Sequence, residues 1–154
     1  MDGHELALSL RSAYLALHRR TDAALAPSGV TADQFVVLAA LADSHASTQR
    51  ELVERTGSDP NTLRAMLVLL EARGLVSRKP HATDRRARSV HLTPKGRTLC
   101  RRLWRDTEAV RAQLLSGLGE RRARSLQQSL VCVSRILLEP GAGPVGQLAI
   151  SSAS

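Results

Sequence analysis

The stretch Thr56-Gly57-Ser58-Asp59-Pro60 constrains this chain more than any other. A glycine at the end of a helical segment suits the left-handed conformation that closes a helix. Asp-Pro two residues later supplies an N-cap, then a residue whose missing N–H costs nothing at the first helical position. Two helices therefore meet across Thr56-Gly57-Ser58. The upstream helix opens at the capping box Thr48-Gln49-Arg50-Glu51 and reaches Arg55. The downstream helix runs from Pro60 to Arg73, with Leu63, Met66, Leu67 and Leu70 on one face, and stops at Gly74. Helix, short glycine turn, helix is the spacing of a helix-turn-helix.

A hairpin comes directly after that helix pair. Leu75 to Lys79 and Arg88 to Leu92 have strand character, and Pro80 to Ala87 connects them, so the two strands read as a wing. The rest of the chain reads as helix. Leu6, Leu10, Tyr14, Leu17, Thr21 and Leu25 recur three or four apart over residues 5 to 25. A capping box at Thr31-Ala32-Asp33-Gln34 opens a short apolar helix to Ala42, with a loop from Asp43 to Ser47 after it. Thr93-Pro94 opens a long helix carrying Leu99, Leu103, Val110, Leu114 and Leu118, broken near Gly117 to Gly119. A last helix spans Glu120 to Leu138, with Leu126, Leu130, Val133 and Leu137 on one side. From Glu139 to Ser154 periodicity ends and a disordered tail is expected. The fold class is mainly α, about six helices with a small β-hairpin wing. Aromatics are 2% of the 154 residues, so the core must rest on Leu, Val and Ala.

Charge points to the partner. The net charge is +8, yet ten of the 22 basic residues and only one of the 14 acidic ones, Asp84, lie between Arg73 and Arg102. The remainder is close to neutral. A local basic patch on a neutral chain is the footprint of a polyanion. A helix-turn-helix presents its second helix to the major groove, N-terminal end foremost, which nominates Ser58, Asn61, Thr62 and Arg64. Asn61 suits adenine and Arg64 suits guanine or a phosphate, whereas Asp59 reads as a cap. At the hairpin tip Arg85, Arg86 and Arg88 are candidates for the minor groove or for phosphates. Asp84 is expected to pair with one of them and set its direction.

The segment Leu70-Glu71-Ala72-Arg73-Gly74-Leu75-Val76-Ser77-Arg78, followed by Asp84-Arg85-Arg86-Ala87-Arg88 and Val90-His91-Leu92-Thr93-Pro94-Lys95-Gly96, resembles the MarR family of transcription regulators. The resemblance covers about Ala13 to Leu138. It implies a repressor that binds a pseudo-palindromic double-stranded DNA operator as a homodimer; a cytoplasmic location is expected because the start MDGHELALSLR does not read as a signal peptide. Residues 1–30 and 97–138 would form the helical bundle between two copies, and residues 31–96 the winged helix-turn-helix lobe. It also implies a small phenolic or lipophilic effector bound between these regions, and an acid–base pair of Asp84 and Arg86 in the wing. The chain departs from the family at Ala65, Val68 and Leu69, where polar or basic residues are common.

For the effector pocket, Tyr14 and His18 sit four apart on the first helix, and Trp104 is placed to face them. For each, a plain core or interface role is the more ordinary reading. Cys100, among Arg97, Arg101 and Arg102, is the candidate for a thiol whose pKa is lowered by its neighbours, which would make the protein a redox-sensing regulator of the same fold. The plainer alternative is that Cys100 and Cys132 are reduced, half-buried thiols. His4, His18, His45, His81 and His91 show no metal-ligand spacing, and neither a metal nor a cofactor is expected. The sequence has no P-loop, no HExxH and no glycine fingerprint, so no enzyme is expected. An RNA-binding or protein-docking winged helix is a weaker alternative, because too few aromatics remain for a base-stacking platform. No run approaches the roughly 20 apolar residues of a membrane span, and no membrane partner is expected.

Overall fold

The computed structural model describes residues 2–44, 46–84 and 86–138. Its central turn has the geometry that the residues dictate. Gly57 closes the helix Gln49–Thr56 at φ 67°, a region only glycine enters freely, and donates its N–H to the Val53 carbonyl. Asp59 then caps the helix Pro60–Ala72, its carboxylate accepting from the backbone N–H groups of Asn61 and Thr62.

In chain order the elements are α1 (Gly3–Leu25), a 3₁₀ turn (Ala26–Ser28), α2 (Ala32–Ala42), β1 (Ser47–Thr48), α3 (Gln49–Thr56), α4 (Pro60–Ala72), β2 (Val76–Pro80), β3 (Arg88–Leu92), α5 (Pro94–Asp106), α6 (Glu108–Leu118) and α7 (Glu120–Leu138). Both capping boxes form, at Thr31 with Gln34 and at Thr48 with Glu51. The hairpin is antiparallel, with Val76 opposite Leu92 and Pro80 opposite Arg88. The expected tail, residues 139–154, lies outside the described residues.

The structure adds two features to the expected elements. Ser47 and Thr48 pair with Val90 and Ser89, so the sheet has three strands in the order β1-β3-β2. Two residues are too short a run to show alternation, and only the partner strand makes them a strand. The expected long helix from Pro94 is also two helices, which raises the count from about six to seven among the described residues. The break is at Thr107, whose hydroxyl donates back to the Leu103 carbonyl at 2.8 Å while its backbone leaves helical geometry. Such back-bonding bends helices. Arg111 donates to the Trp104 carbonyl at 2.7 Å and so satisfies a group that the continuing helix would have used.

The chain forms two compact units, one through Arg111 and one from Ala112. The first is built on a single core. Leu25 of α1, Leu38 and Leu41 of α2, Leu52 of α3, Leu63, Leu67 and Leu70 of α4, Leu75, Val76 and Val90 around the hairpin, and Leu103 of α5 are all at most 2% exposed. Burying each such side chain contributes about 2 kcal/mol. In the second unit α7 is amphipathic, yet no residue along it is buried.

One junction ties the hairpin to the helices. The Thr93 hydroxyl lies 2.7 Å from the Gly74 carbonyl oxygen and accepts the N–H of Gly96 at 3.0 Å, capping α5. The Thr93 N–H reaches the Leu75 carbonyl at 3.1 Å. That carbonyl lies so close to α5 that a Cβ on residue 96 would stand 2.0 Å from its oxygen. Because the obstacle is backbone, Gly96→Ala should destabilise the protein by about 3 kcal/mol, read as a lowered urea midpoint. Gly117→Ala, facing open space in α6, should change stability by no more than about 1 kcal/mol, in the stabilising direction.

Candidate nucleic-acid interface

The exposed start of α4 stands beside the hairpin. Asn61 and Arg64 are exposed, and their side chains make no hydrogen bond or ion pair with another described residue. The other two residues nominated on this helix are already engaged. The Thr62 hydroxyl lies 3.3 Å from the Asp59 carboxylate, and the half-buried Ser58 hydroxyl lies 2.9 Å from that of Thr56. Asp59 acts as the cap expected from its position.

The wing tip is closed from within. The His81 N–H donates to the Ala87 carbonyl at 3.0 Å, and the His81 Nδ1 faces the backbone N–H groups of Thr83 and Asp84 at 3.3 and 3.2 Å. Among the described residues, Asp84 is not paired with the side chain of Arg86 or Arg88. Its carboxylate accepts the backbone N–H of Arg86 at 2.9 Å. The carboxylate thus sets the path of the loop and leaves those guanidinium groups without a carboxylate among the described residues. Arg85, the third candidate at the tip, lies outside the described residues. Arg78 is drawn back onto Glu71 at 2.9 Å. Arg86 and Arg88 are exposed.

Between these elements lies a concave cleft of about 600 Å³. Its lining brings together Arg64 of α4 and Asp84, Arg86 and Arg88 of the wing, and adds Gln49 and Arg50 from the start of α3. Arg50 was not nominated from the sequence, where it reads as an inner residue of a capping box. The three-stranded sheet puts it on this face, because β1 pairs with β3 immediately before α3 begins. Arg50 also contacts Glu54 at 3.2 Å, but its side chain remains 90% exposed. With Arg78 the cleft is lined by five arginines, which matches it to a polyanion rather than to a neutral ligand.

A second hollow, of about 230 Å³, lies in the same compact unit. Tyr14 and His18 line it as expected, with Phe35, Val36, Asp33 and Arg111. Trp104 does not line it. Its ring meets Phe35 edge-on at 5.4 Å, and the Arg111 guanidinium stacks on it at 4.3 Å. His18 is held between two carboxylates, Asp22 at 3.1 Å and Asp33 at 3.3 Å. Partial burial, then the Asp33 and Asp22 carboxylates, push the Tyr14 phenol above its ordinary pKa. Arg111 was missed because its signal is conformational. It contacts Thr107, the Trp104 carbonyl and Glu108 only where the helix breaks. These bonds use three of its five N–H groups.

The chain resembles known proteins along most of its length. Residues 28–87 match the model of the MarR family. The HTH-type transcriptional repressor Rv2887 of Mycobacterium tuberculosis is 30% identical over 114 residues, 74% of this chain and 82% of that protein. The HTH-type transcriptional repressor NicR of Pseudomonas putida is 43% identical over 70 residues, 46% of this chain. The chain matches only 44% of the length of NicR. Among solved structures, BpsR of Bordetella bronchiseptica superposes with a TM-score of 0.70 at 31% identity, covering 84% of this chain and 98% of that one. Its structure describes regulation of DNA binding by 6-hydroxynicotinic acid.

Cys100 lacks the lowered pKa on which the redox alternative rests. Cys100 lies in the core at 2% exposure, where burial, with the Asp43 carboxylate, raises its pKa, against smaller opposing effects of Trp104 and Arg101. The arginines around it in sequence project outward from α5 while the thiol points inward. A thiolate is disfavoured there and the thiol is shielded. Cys132 is exposed on α7. In the folded protein Cys100 should react with a disulfide reagent at least about tenfold more slowly than Cys132. Urea should abolish the difference, as measured by labelling single Cys→Ser variants.

Proposed function

The chain belongs to the MarR family of DNA-binding transcription regulators, and from that premise we propose that it is a repressor acting as a homodimer on a pseudo-palindromic operator. The cleft that joins Arg64 of α4 to Arg86 and Arg88 of the wing carries this reading. It supports a division in which residues 31–96 contact DNA, with Asn61 and Arg64 in the major groove and the wing arginines on the minor groove and phosphates. Asp84 serves by shaping the wing backbone. Ser58 and Thr62 are phosphate contacts through hydroxyls already held in place. Residues 1–30 and 97–138 pair the two copies. The exposure of Leu6 and Leu17 on α1, and of Leu126, Leu130 and Leu137 on α7, supports this, since apolar rows of that kind are ordinarily covered. Its place of action is the cytoplasm, with the operator.

The hollow beside Tyr14 supports control by a small hydroxylated aromatic acid. Arg111 offers a remaining N–H group and its positive charge to a carboxylate, Phe35 and Val36 offer apolar contact, and the Tyr14 phenol offers a hydrogen bond to a hydroxyl. Occupancy would weaken operator binding.

Two measurements test these readings. Binding to a duplex selected from a random library should weaken steeply with salt, log K falling by about 0.9 per phosphate neutralised, with two chains per duplex by sedimentation. Arg86→Ala should weaken binding and lower that slope by about one phosphate; a flat salt profile contradicts the reading. 6-Hydroxynicotinic acid is the first effector to try. If it or a related aromatic acid releases the DNA, Arg111→Met should raise the concentration needed by about tenfold or more, while leaving ligand-free DNA affinity unchanged.

A further inference from the structure

The face of α4 turned away from the core is unusual for a helix offered to DNA. At 100° per residue, Leu63, Met66, Leu67 and Leu70 define its inner side. Directly opposite lie Asn61, Ala65, Val68 and Ala72, at i, i+4, i+7 and i+11 along one outer ridge. Val68 is 51% exposed, and Leu69 beside it 55%. Beyond Asn61 this ridge has no side chain able to donate or accept a hydrogen bond. It can therefore read none of the donor and acceptor pattern in the major groove. The groove has one apolar feature, the C5-methyl group of thymine.

We propose that Ala65 and Val68, flanked by Leu69, select operator sequence by packing on thymine methyl groups. The inference rests on the DNA-binding reading above. The choice of DNA as the occupant comes from the surroundings of the ridge. Arg64, which precedes Ala65 on the same exposed side of α4, lines the basic cleft with Arg50, Arg86 and Arg88, a set of charges complementary to phosphates. Ala65 adds only a methyl, so the helix backbone can approach the base edges closely. The ridge from Asn61 to Val68 rises about 10 Å, roughly three base pairs at 3.4 Å each. Asn61 at its leading end is suited to adenine. The ridge as a whole thus fits a short A·T-rich block in each half-site, with Asn61 reading an adenine and the apolar residues reading thymines.

The operator itself can be found within the experiment. Duplexes are selected from a random library by the wild-type protein, and the winner is resynthesised with uracil in place of thymine, one position at a time. Uracil differs from thymine only by the lost methyl. At one to three positions in each half-site affinity should fall about fourfold per methyl removed. In Val68→Ser, whose side chain is exposed and outside the core, the loss should vanish at one of those positions and persist elsewhere. That pattern also cancels any effect of uracil on the duplex itself. If complete replacement of thymine changes affinity less than twofold, methyl reading is wrong and DNA binding stands. If the uracil losses are identical in Val68→Ser and in Ala65→Gly, the methyls are read by other residues and the assignment fails. If Val68→Ser alters self-association but not DNA affinity, the ridge is a protein contact instead. If no duplex is selected, the DNA-binding reading falls and this inference with it.

Discussion

The carbonyl of Leu75 occupies the space that any side chain on residue 96 would need, and much of the lobe depends on that contact. The close approach lets one hydroxyl, that of Thr93, touch the end of α4, the start of β2 and the first turn of α5 at once. Lys95 adds a bond from its ammonium to the Arg73 carbonyl at 2.8 Å. Arg73 in turn reaches back to the Gly29 carbonyl at 2.7 Å. The helix α4, the hairpin and α5 are thereby tied to one another by these side-chain bonds across a close backbone contact. A basic hairpin on a loose hinge would lose entropy on each encounter with DNA; this one is already ordered at its base.

On that rigid base the charges are sorted. Few acids share the basic face, and most are occupied. Glu71 holds Arg78, Asp59 caps α4, and Asp84 holds a backbone N–H of the wing. Arg64, Arg86 and Arg88 are left without a carboxylate among the described residues. An exposed ion pair there would gain little stability and would have to be broken before a phosphate could bind. Among the described residues Asp84 closes the loop through a backbone N–H and leaves Arg86 and Arg88 without a carboxylate partner.

The smaller hollow uses the opposite device. Arg111 is clamped by Thr107, Glu108 and the Trp104 carbonyl and rests on an indole face. A guanidinium held this way loses little rotamer freedom when it meets an anion. The hollow and the basic cleft belong to one compact unit, since α2 lines the first with Phe35 and packs against α3, which contributes to the second.

Whatever depends on neighbours in sequence could be read from the sequence. Two capping boxes, the Gly57 turn, the Asp59-Pro60 and Thr93-Pro94 starts and the two hairpin strands each arise from a few adjacent residues with one favourable local conformation, and all are present. So is the concentration of charge between Arg73 and Arg102. Direction and distant partnership were settled only by tertiary packing. β1 is a strand only because β3 lies beside it, and that pairing brings Arg50 to the cleft. Cys100 is shielded because α5 turns its thiol inward and its arginines outward, although all are close in sequence. Asp84 takes the backbone N–H of Arg86 where the loop closes on itself at His81 and Ala87. Arg111 came to line the hollow because the helix breaks at Thr107. Local propensity acts over a few residues and is written in them; the direction of a side chain is settled only when distant segments compete for the same space and the same hydrogen bonds.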